Sequence, residues 1–445
     1  MDVIINQLKK QLELNGFLKL LIAYSGGIDS TVLLHQLTLL CQYHSQFKLR
    51  AIHINHGINP SANSWMLHCK NQCLKWKVPF STINIILDSK HKKDKGIEAA
   101  SRIARYNVLF QALLPEEVLL TAHNMDDQCE TFLLALKRGS GPAGLSSMPL
   151  IKKNIEGKIL FRPFLNQDRK TIEKWAYQYK LCWITDNSNY DTSFDRNFLR
   201  IKVLSILKNK WPHFCKTVTR SAALCAYQEQ LLRDLLKEYL QKLTKSDGSL
   251  IIDLLYNYSE IMVYAIIRQW LINHNILTPS FKIIQCIWHE IICSRKDALP
   301  CIKIGTNEIR RYRNAIYLLS SIIPSIKEHI LHWRSPWLPL MLPNNLGIIK
   351  LHHSHGMLIR CPNVGEEVSI RFQAKGTFSL LGCSKGRRSI KKIWQRFAIP
   401  SWLRERIPLI FYNEKLIAAM NIFITQEGYT PNQNFWYLKW DKDNK

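Results

Sequence analysis

The sequence predicts a doubly wound α/β domain with a parallel sheet at its N-terminal end, then a helical middle domain and a small α+β C-terminal domain. Three observations carry that prediction. Up to about residue 135, short apolar runs rich in branched residues alternate with longer helical patterns, as βαβ units require. Beyond about Lys208 the apolar spacing changes to i, i+3, i+4, the period of packed helices. After a Pro-rich stretch, shorter alternating segments run to the C-terminus.

Taken in order, the strands fall at Leu18–Tyr24, Leu49–Asn55, Phe80–Ile86 and Val118–Ala122. Helices lie near Ser30–Leu40, Ser61–Lys77 and Ile97–Leu114, and a fourth opens at about Met125. Ligands of open parallel sheets sit beyond the carboxyl ends of the strands, so the segments after Tyr24, Asn55 and Ala122 should converge on one crevice. A Gly-rich stretch (Arg138–Gly144), a helix around Asp168–Tyr179 and a polar stretch (Thr185–Arg200) complete a domain expected over residues 1–210. Helices at Val218–Leu243 and Ile261–His274, with strands at about 299–320, make a second over 211–330. Trp333–Pro339 reads as a linker to a last domain over 340–445.

The 445 residues are 47% hydrophobic, which excludes a disordered chain and allows about three domains with their own cores. Lys and Arg number 61 against 34 Asp and Glu, a net charge of +27 that favours polyanionic partners, nucleic acid or an anionic membrane surface. No apolar run reaches the about 18–20 residues of a membrane span, and Met1–Lys10 shows no export signal, so a cytoplasmic location without membrane attachment is expected. The twelve cysteines contain no Cys-x-x-Cys and are expected to be reduced and buried as small apolar side chains. His352-His-Ser-His355 lacks Cys or acidic partners nearby and reads as a loop.

The sharpest motif is Ser25-Gly-Gly-Ile-Asp-Ser30, between a strand and a helix. Paired glycines let backbone N–H groups approach phosphate oxygens, and the helix N-terminus adds positive partial charge. Asp29 would repel phosphates unless a divalent cation bridged them, which points to a magnesium-bound nucleotide. His53-Ile-Asn-His-Gly57 ends the second strand and places His53 and His56 to meet adenosine or substrate. Glu98-Ala-Ala-Ser-Arg-Ile-Ala-Arg-Tyr106 puts Arg102 and Arg105 about one turn apart; taken alone, an ion-paired solvated helix face explains it better. In Thr121-Ala-His-Asn-Met-Asp-Asp-Gln-Cys-Glu-Thr131, Asp126 and Glu130 share a helical face, available to metal or a substrate amine, while Asp127 points elsewhere. Acids at a helix start can also simply complement its dipole.

The Ser25–Ser30 string resembles the PP-loop of ATP pyrophosphatases. Together with His53–Gly57, Glu98–Tyr106, Thr121–Thr131, Leu136–Leu145, Arg162-Pro-Phe-Leu165, Asp186–Arg200 and, near the C-terminus, Gly386–Ile410, it is similar to the tRNA(Ile)-lysidine synthases within that superfamily. The resemblance implies ATP bound with Mg2+ on Ser25, Gly26, Gly27, Ile28, Asp29, Ser30 and His53. It implies adenylation of the wobble cytidine of tRNA(Ile) with a CAU anticodon, and displacement of AMP by free L-lysine. It gives Asp29 to the metal and to catalysis together with Asp126, Glu130 and Arg102. It gives His56, Arg105, His123, Arg196 and Arg200 to substrate or tRNA, and it implies a possible homodimer. Residues 371–406 hold ten Lys/Arg against one acid, Glu405, with Phe372, Phe378, Trp394, Phe397 and Trp402 interleaved. The charges, among them Arg387, Arg388, Lys391 and Lys392, suit tRNA phosphates, whereas the aromatics suit the small domain's own core. The competing classes are a tRNA-thiolating PP-loop enzyme, disfavoured by the missing Cys-x-x-Cys, a small-molecule amidation ligase, and a tRNA-binding protein with an inactive nucleotide fold.

Overall fold

The computed structural model describes residues 3–55, 61–85, 97–154, 156–276, 279–295, 298, 300–320, 324–335, 337–382, 386–429 and 434–442, the side chains of 97–101 excepted. The chain forms two compact units, Met1–Leu235 and Leu236–Lys445.

The first unit runs α1 (Val3–Leu14), β1 (Lys19–Ala23), α2 (Ile28–Tyr43), β2 (Lys48–Asn55), α3 (Ala62–Lys75), β3 (Phe80–Asn84), α4 (Ile97–Gln111), β4 (Glu117–Leu120) and α5 (Met125–Lys137). Then come α6 (Pro142–Leu145), β5 (Ile151–Lys153), β6 (Ile159–Phe161), α7 (Arg169–Gln178), α8 (Asp195–Phe198), α9 (Leu204–Lys210) and α10 (Phe214–Leu243), the last crossing into the second unit. The sheet order is β3-β2-β1-β4-β6-β5, parallel throughout except for the β5–β6 pair.

Alternation along the central strand explains why helices cover both faces. Leu20 and Ile22 of β1 join Val32, Leu33 and Leu37 of α2, Cys69 and Cys73 of α3 and Trp175 of α7 in one core. Leu21, between them, faces the other way and packs with Ile52, Leu109 of α4, Leu119 and Leu160. The connection reverses direction at β1, with β2 on one side and β4 on the other, so a crevice opens beyond their carboxyl ends.

In the second unit, helices Glu260–Asn273 and Phe281–Cys286 cover a four-stranded antiparallel sheet of Leu250–Ile251, Ala315–Ser320, Asn307–Tyr312 and Cys301–Ile304. A five-stranded and a four-stranded sheet follow, sharing a core that includes Trp333, Ile349, Ile370, Ile410 and Trp440. The linker expectation for Trp333–Pro339 fails at its first residue. Trp333 ends the strand Ile330–Trp333, pairs with Val368, is 3% exposed and packs edge-on against Trp337. Proline marked a break in hydrogen bonding, while the indole side chains supplied the core contact. The aromatics of 371–406 divide: Phe372 and Trp394 are core, and Phe397 is 37% exposed and stacked on Phe423.

The cysteine expectation is also corrected in part. Cys69, Cys73, Cys129 and Cys215 are buried, but Cys182, Cys293 and Cys301 are exposed. Among the described residues, no helix is long and apolar enough to cross a membrane.

Candidate active site

The turn from β1 into α2 is shaped by Gly26. Its φ of 84° lies in the left-handed region, and a Cβ there would approach Ile184 Cδ1 to 2.7 Å and Cys69 Sγ to 2.9 Å. The Ile184 N–H donates to Gly26 O at 2.9 Å, and Thr31 Oγ1 donates to the same carbonyl at 3.3 Å. Gly27 caps α2 without a side-chain acceptor, so the N–H groups of the first turn are left for an anion. Ser30 Oγ donates to Gly27 O at 3.0 Å and lies 3.0 Å from Ser25 Oγ, which closes the loop on itself.

This loop forms one wall of a cavity of about 750 Å3. Ser25, Gly27, Asp29 and Ser30 line it with His53 and Asn55 from β2, Arg105 and Tyr106 from α4, His123 and Asp127 around the start of α5, and Asp186, Ser188 and Asn189. The His53 Nδ1–H donates to Tyr24 O at 2.9 Å, which leaves Nε2 as the acceptor, and burial lowers its pKa so that the ring stays neutral. Burial, against the opposing pull of Asp127, pushes the His123 imidazole down to about 3. Thr121 Oγ1 lies 2.9 Å from its Nδ1. The guanidinium of Arg102 stands 5.4 Å from the centre of the Tyr106 ring and that of Arg105 5.9 Å.

Asn124 organises the acidic side. As N-cap of α5 its Oδ1 accepts from the Asp126 and Asp127 N–H groups, and the Asp127 carboxylate accepts from the Asn124 N–H at 3.0 Å. Asn124 Nδ2 then donates to Asp29 Oδ1 at 3.0 Å, tying the turn between β1 and α2 to α5. Burial raises the Asp29 carboxyl above its ordinary value, although Arg169 Nη1 donates to Oδ2 at 2.5 Å. Burial acts to raise Asp127 as well, but the Arg196 guanidinium, the Asn124 N–H and Arg200 bring it below the ordinary range.

A PP-loop domain model matches residues 1–207, a TilS substrate binding domain model 250–317 and a TilS substrate C-terminal domain model 368–440. A solved U34-tRNA thiolase from Methanococcus maripaludis is 16% identical and covers 49% of this chain and 76% of its own, with a TM-score of 0.43. The tRNA(Ile)-lysidine synthase of Salmonella typhimurium is 46% identical over 95% of this chain and 96% of its own. That of Pectobacterium atrosepticum is 46% identical over 425 residues, 95% of each chain. The chain belongs to the tRNA(Ile)-lysidine synthase family.

Among the residues that the family resemblance singled out, Ser25, Gly27, Asp29, Ser30, His53, Arg105 and His123 meet in the crevice. Gly26 shapes the loop from beneath, and Ile28 is a core residue of α2. His56 lies outside the described residues. The expectation for α5 is reversed: Asp127 lines the cavity, while Asp126 and Glu130 turn to cations on later elements. Lys208 Nζ donates to Asp126 at 2.6 Å. The fully buried Glu130 accepts from Arg196 Nε at 2.8 Å and Arg200 Nε at 2.7 Å, and Arg200 also reaches Asp127 at 3.2 Å. Helical spacing placed Asp126 and Glu130 on one face correctly, but that face meets cations of the segment 195–210 and does not line the cavity. Arg387, Arg388, Lys391 and Lys392 lie in the second unit, and Lys391 and Lys392 are exposed on the helix Ile390–Arg396.

Two residues that hold Asp29 were given no such role by the sequence. Asn124 was legible only as a helix cap, from the Asn-x-x-Asp pattern. Arg169 sits in an ordinary amphipathic helix, 140 positions from the acid it pairs with.

Proposed function

We propose that this chain joins free L-lysine to C2 of the wobble cytidine of tRNA(Ile) with a CAU anticodon, giving lysidine, AMP and pyrophosphate and changing codon reading from AUG to AUA. The observation that supports it best is the 46% identity to curated tRNA(Ile)-lysidine synthases over nearly the whole chain. The crevice suits the chemistry. The loop amides and the start of α2 would cradle the triphosphate. Cytidine O2 attacks the α-phosphorus and pyrophosphate leaves, turning an unreactive oxygen into a leaving group. The neutral ε-amine of lysine then adds at C2, AMP departs and the amine's proton is lost to a base.

Asp29 and Asp127 are hard oxygen donors, both at the cavity wall and close enough for the Asp127 charge to act on Asp29, which fits magnesium held by one or two carboxylates plus phosphates. When bound, magnesium would neutralise phosphate charge. We assign Asp127, held as a carboxylate, to the lysine ammonium or the metal, and Arg102 and Arg105 to phosphates. Glu130 is assigned to holding Arg196 and Arg200 at the crevice, and Asp126 to holding Lys208. Arg387, Arg388, Lys391 and Lys392 would meet the tRNA backbone. Sedimentation of the purified chain tests the homodimer.

The deciding assay incubates the protein with ATP, magnesium, radiolabelled lysine and total tRNA, then digests the tRNA to nucleosides. Label in a modified cytidine, absent without ATP, is expected. AMP release without label would keep the adenylating chemistry and reject lysine as the nucleophile; no AMP at all would reject both.

A further inference from the structure

We propose that Arg169 is the resident cation of the phosphate loop: it neutralises Asp29 while the nucleotide site is empty and yields that carboxylate to the divalent ion that arrives with ATP. The proposal rests on the ATP-dependent reading above and concerns how the loop stays ready for a polyanion.

Asp29 lies in the first turn of α2, among the amides that would face a triphosphate, and its side chain is only 25% exposed. A bare carboxylate there carries two penalties. It is desolvated by its surroundings, and Asp127 adds like charge nearby. It would also repel the phosphates. A charged Asp29 therefore needs a cation beside it both before and after the nucleotide enters. In the structure that cation is Arg169, whose Nη1 donates to Oδ2 at 2.5 Å. The other acceptor oxygen is occupied by the neutral Asn124 amide at 3.0 Å; Arg200 also acts on Asp29 through space but is itself paired with Glu130 and Asp127, which leaves Arg169 as the cation in direct contact.

The guanidinium also has a second anchor. Its Nε donates to Glu173 Oε1 at 3.0 Å, one turn along α7. Arg169 can thus release Asp29 without becoming an unpaired charge, which a purely structural cross-link would not need. A magnesium ion, bound through one or two carboxylates and substrate phosphates, would compete for the same Oδ2 lone pairs. Displaced and still tethered to Glu173, Arg169 would keep its positive charge beside the phosphates.

The experiment measures ATP binding by calorimetry, with EDTA and with saturating magnesium, and Mn2+ binding to the nucleotide-free protein by electron paramagnetic resonance. For Arg169→Met, ATP affinity in EDTA is expected to fall about tenfold or more, with less than about threefold loss in magnesium. Mn2+ should bind this variant more tightly than wild type, because its competitor is gone. Arg169→Lys should restore metal-free ATP binding, and in an Asp29→Asn background the Arg169→Met effect should vanish. Equal loss of ATP affinity with and without magnesium, or unchanged Mn2+ affinity, would overturn the proposal and reduce Arg169 to a tie between α7 and the loop. Failure of the wild-type chain to bind ATP even with magnesium would instead overturn the ATP-dependent reading, and the proposal with it.

Discussion

At Gly26 the backbone conformation and the neighbouring side chains make the same demand. The positive φ alone costs a non-glycine residue about 1–2 kcal/mol, and the 2.7 Å approach to Ile184 Cδ1 adds strain because Ile184 is itself tied to the loop by its N–H. Gly26→Ala should therefore lower stability by roughly 2–4 kcal/mol and weaken ATP binding more than Gly27→Ala, whose Cβ would meet only Ser25 Oγ at 3.6 Å. Equal behaviour of the two variants in nucleotide titration and thermal melting would contradict this. His123 makes a pH prediction. Its imidazole titrates near 6.5 when unfolded and near 3 when folded, so between those values the unfolded chain binds the additional proton. The stability contributed by the neutral ring is complete above pH 6.5 and is lost as pH falls toward 3. Asp127, depressed in the fold, acts in the same direction. Denaturant unfolding across pH 4–7 should show a slope that flattens in His123→Asn; an unchanged slope would refute the assignment.

Helix α5 converts local pattern into a site. Its capping box is a short-range feature, readable from Asn124 and Asp127 three positions apart. What its acidic face meets is not short-range: Lys208 lies 82 positions away from Asp126, and Arg200 lies 70 from Glu130. Glu130 carries the heaviest duty, because it is fully buried and neutralises two guanidiniums. Removing its charge while keeping its shape leaves Arg196 and Arg200 facing each other, with Asp127 as their remaining ion-pair partner among the described residues. Glu130→Gln is expected to cost on the order of 3 kcal/mol, lowering the thermal midpoint by roughly 6–12 °C. Lys137→Ala, which breaks an exposed pair with Asp195, should cost less than about 1 kcal/mol. Comparable losses in the two melts would mean that burial does not set the value of these pairs.

Over the whole molecule, the +27 charge suits a polyanionic partner, and the second unit exposes part of it on Lys391 and Lys392, opposite the buried Ile393 and Trp394. If both lysines meet phosphates, the double variant Lys391→Ala/Lys392→Ala should reduce the slope of log K for tRNA against log salt by about 1.4–1.8, with ATP binding unchanged. An unaltered slope would place the tRNA contact elsewhere. The chain alone determined the alternation of strands and helices, the glycine turn between β1 and α2 and the positions where the strands end, because those depend on local period, on glycine conformation and on the topology of parallel sheets. It also carried the family likeness, which is a property of residue order. Only the tertiary structure decided that Asp127 rather than Asp126 or Glu130 faces the crevice, that Arg169 sits on Asp29, and that Trp333 is core rather than linker. Each of those depends on partners far apart in sequence. Ion pairing and burial are settled by which distant side chain arrives at a given surface, and neither helical spacing nor proline content carries that information.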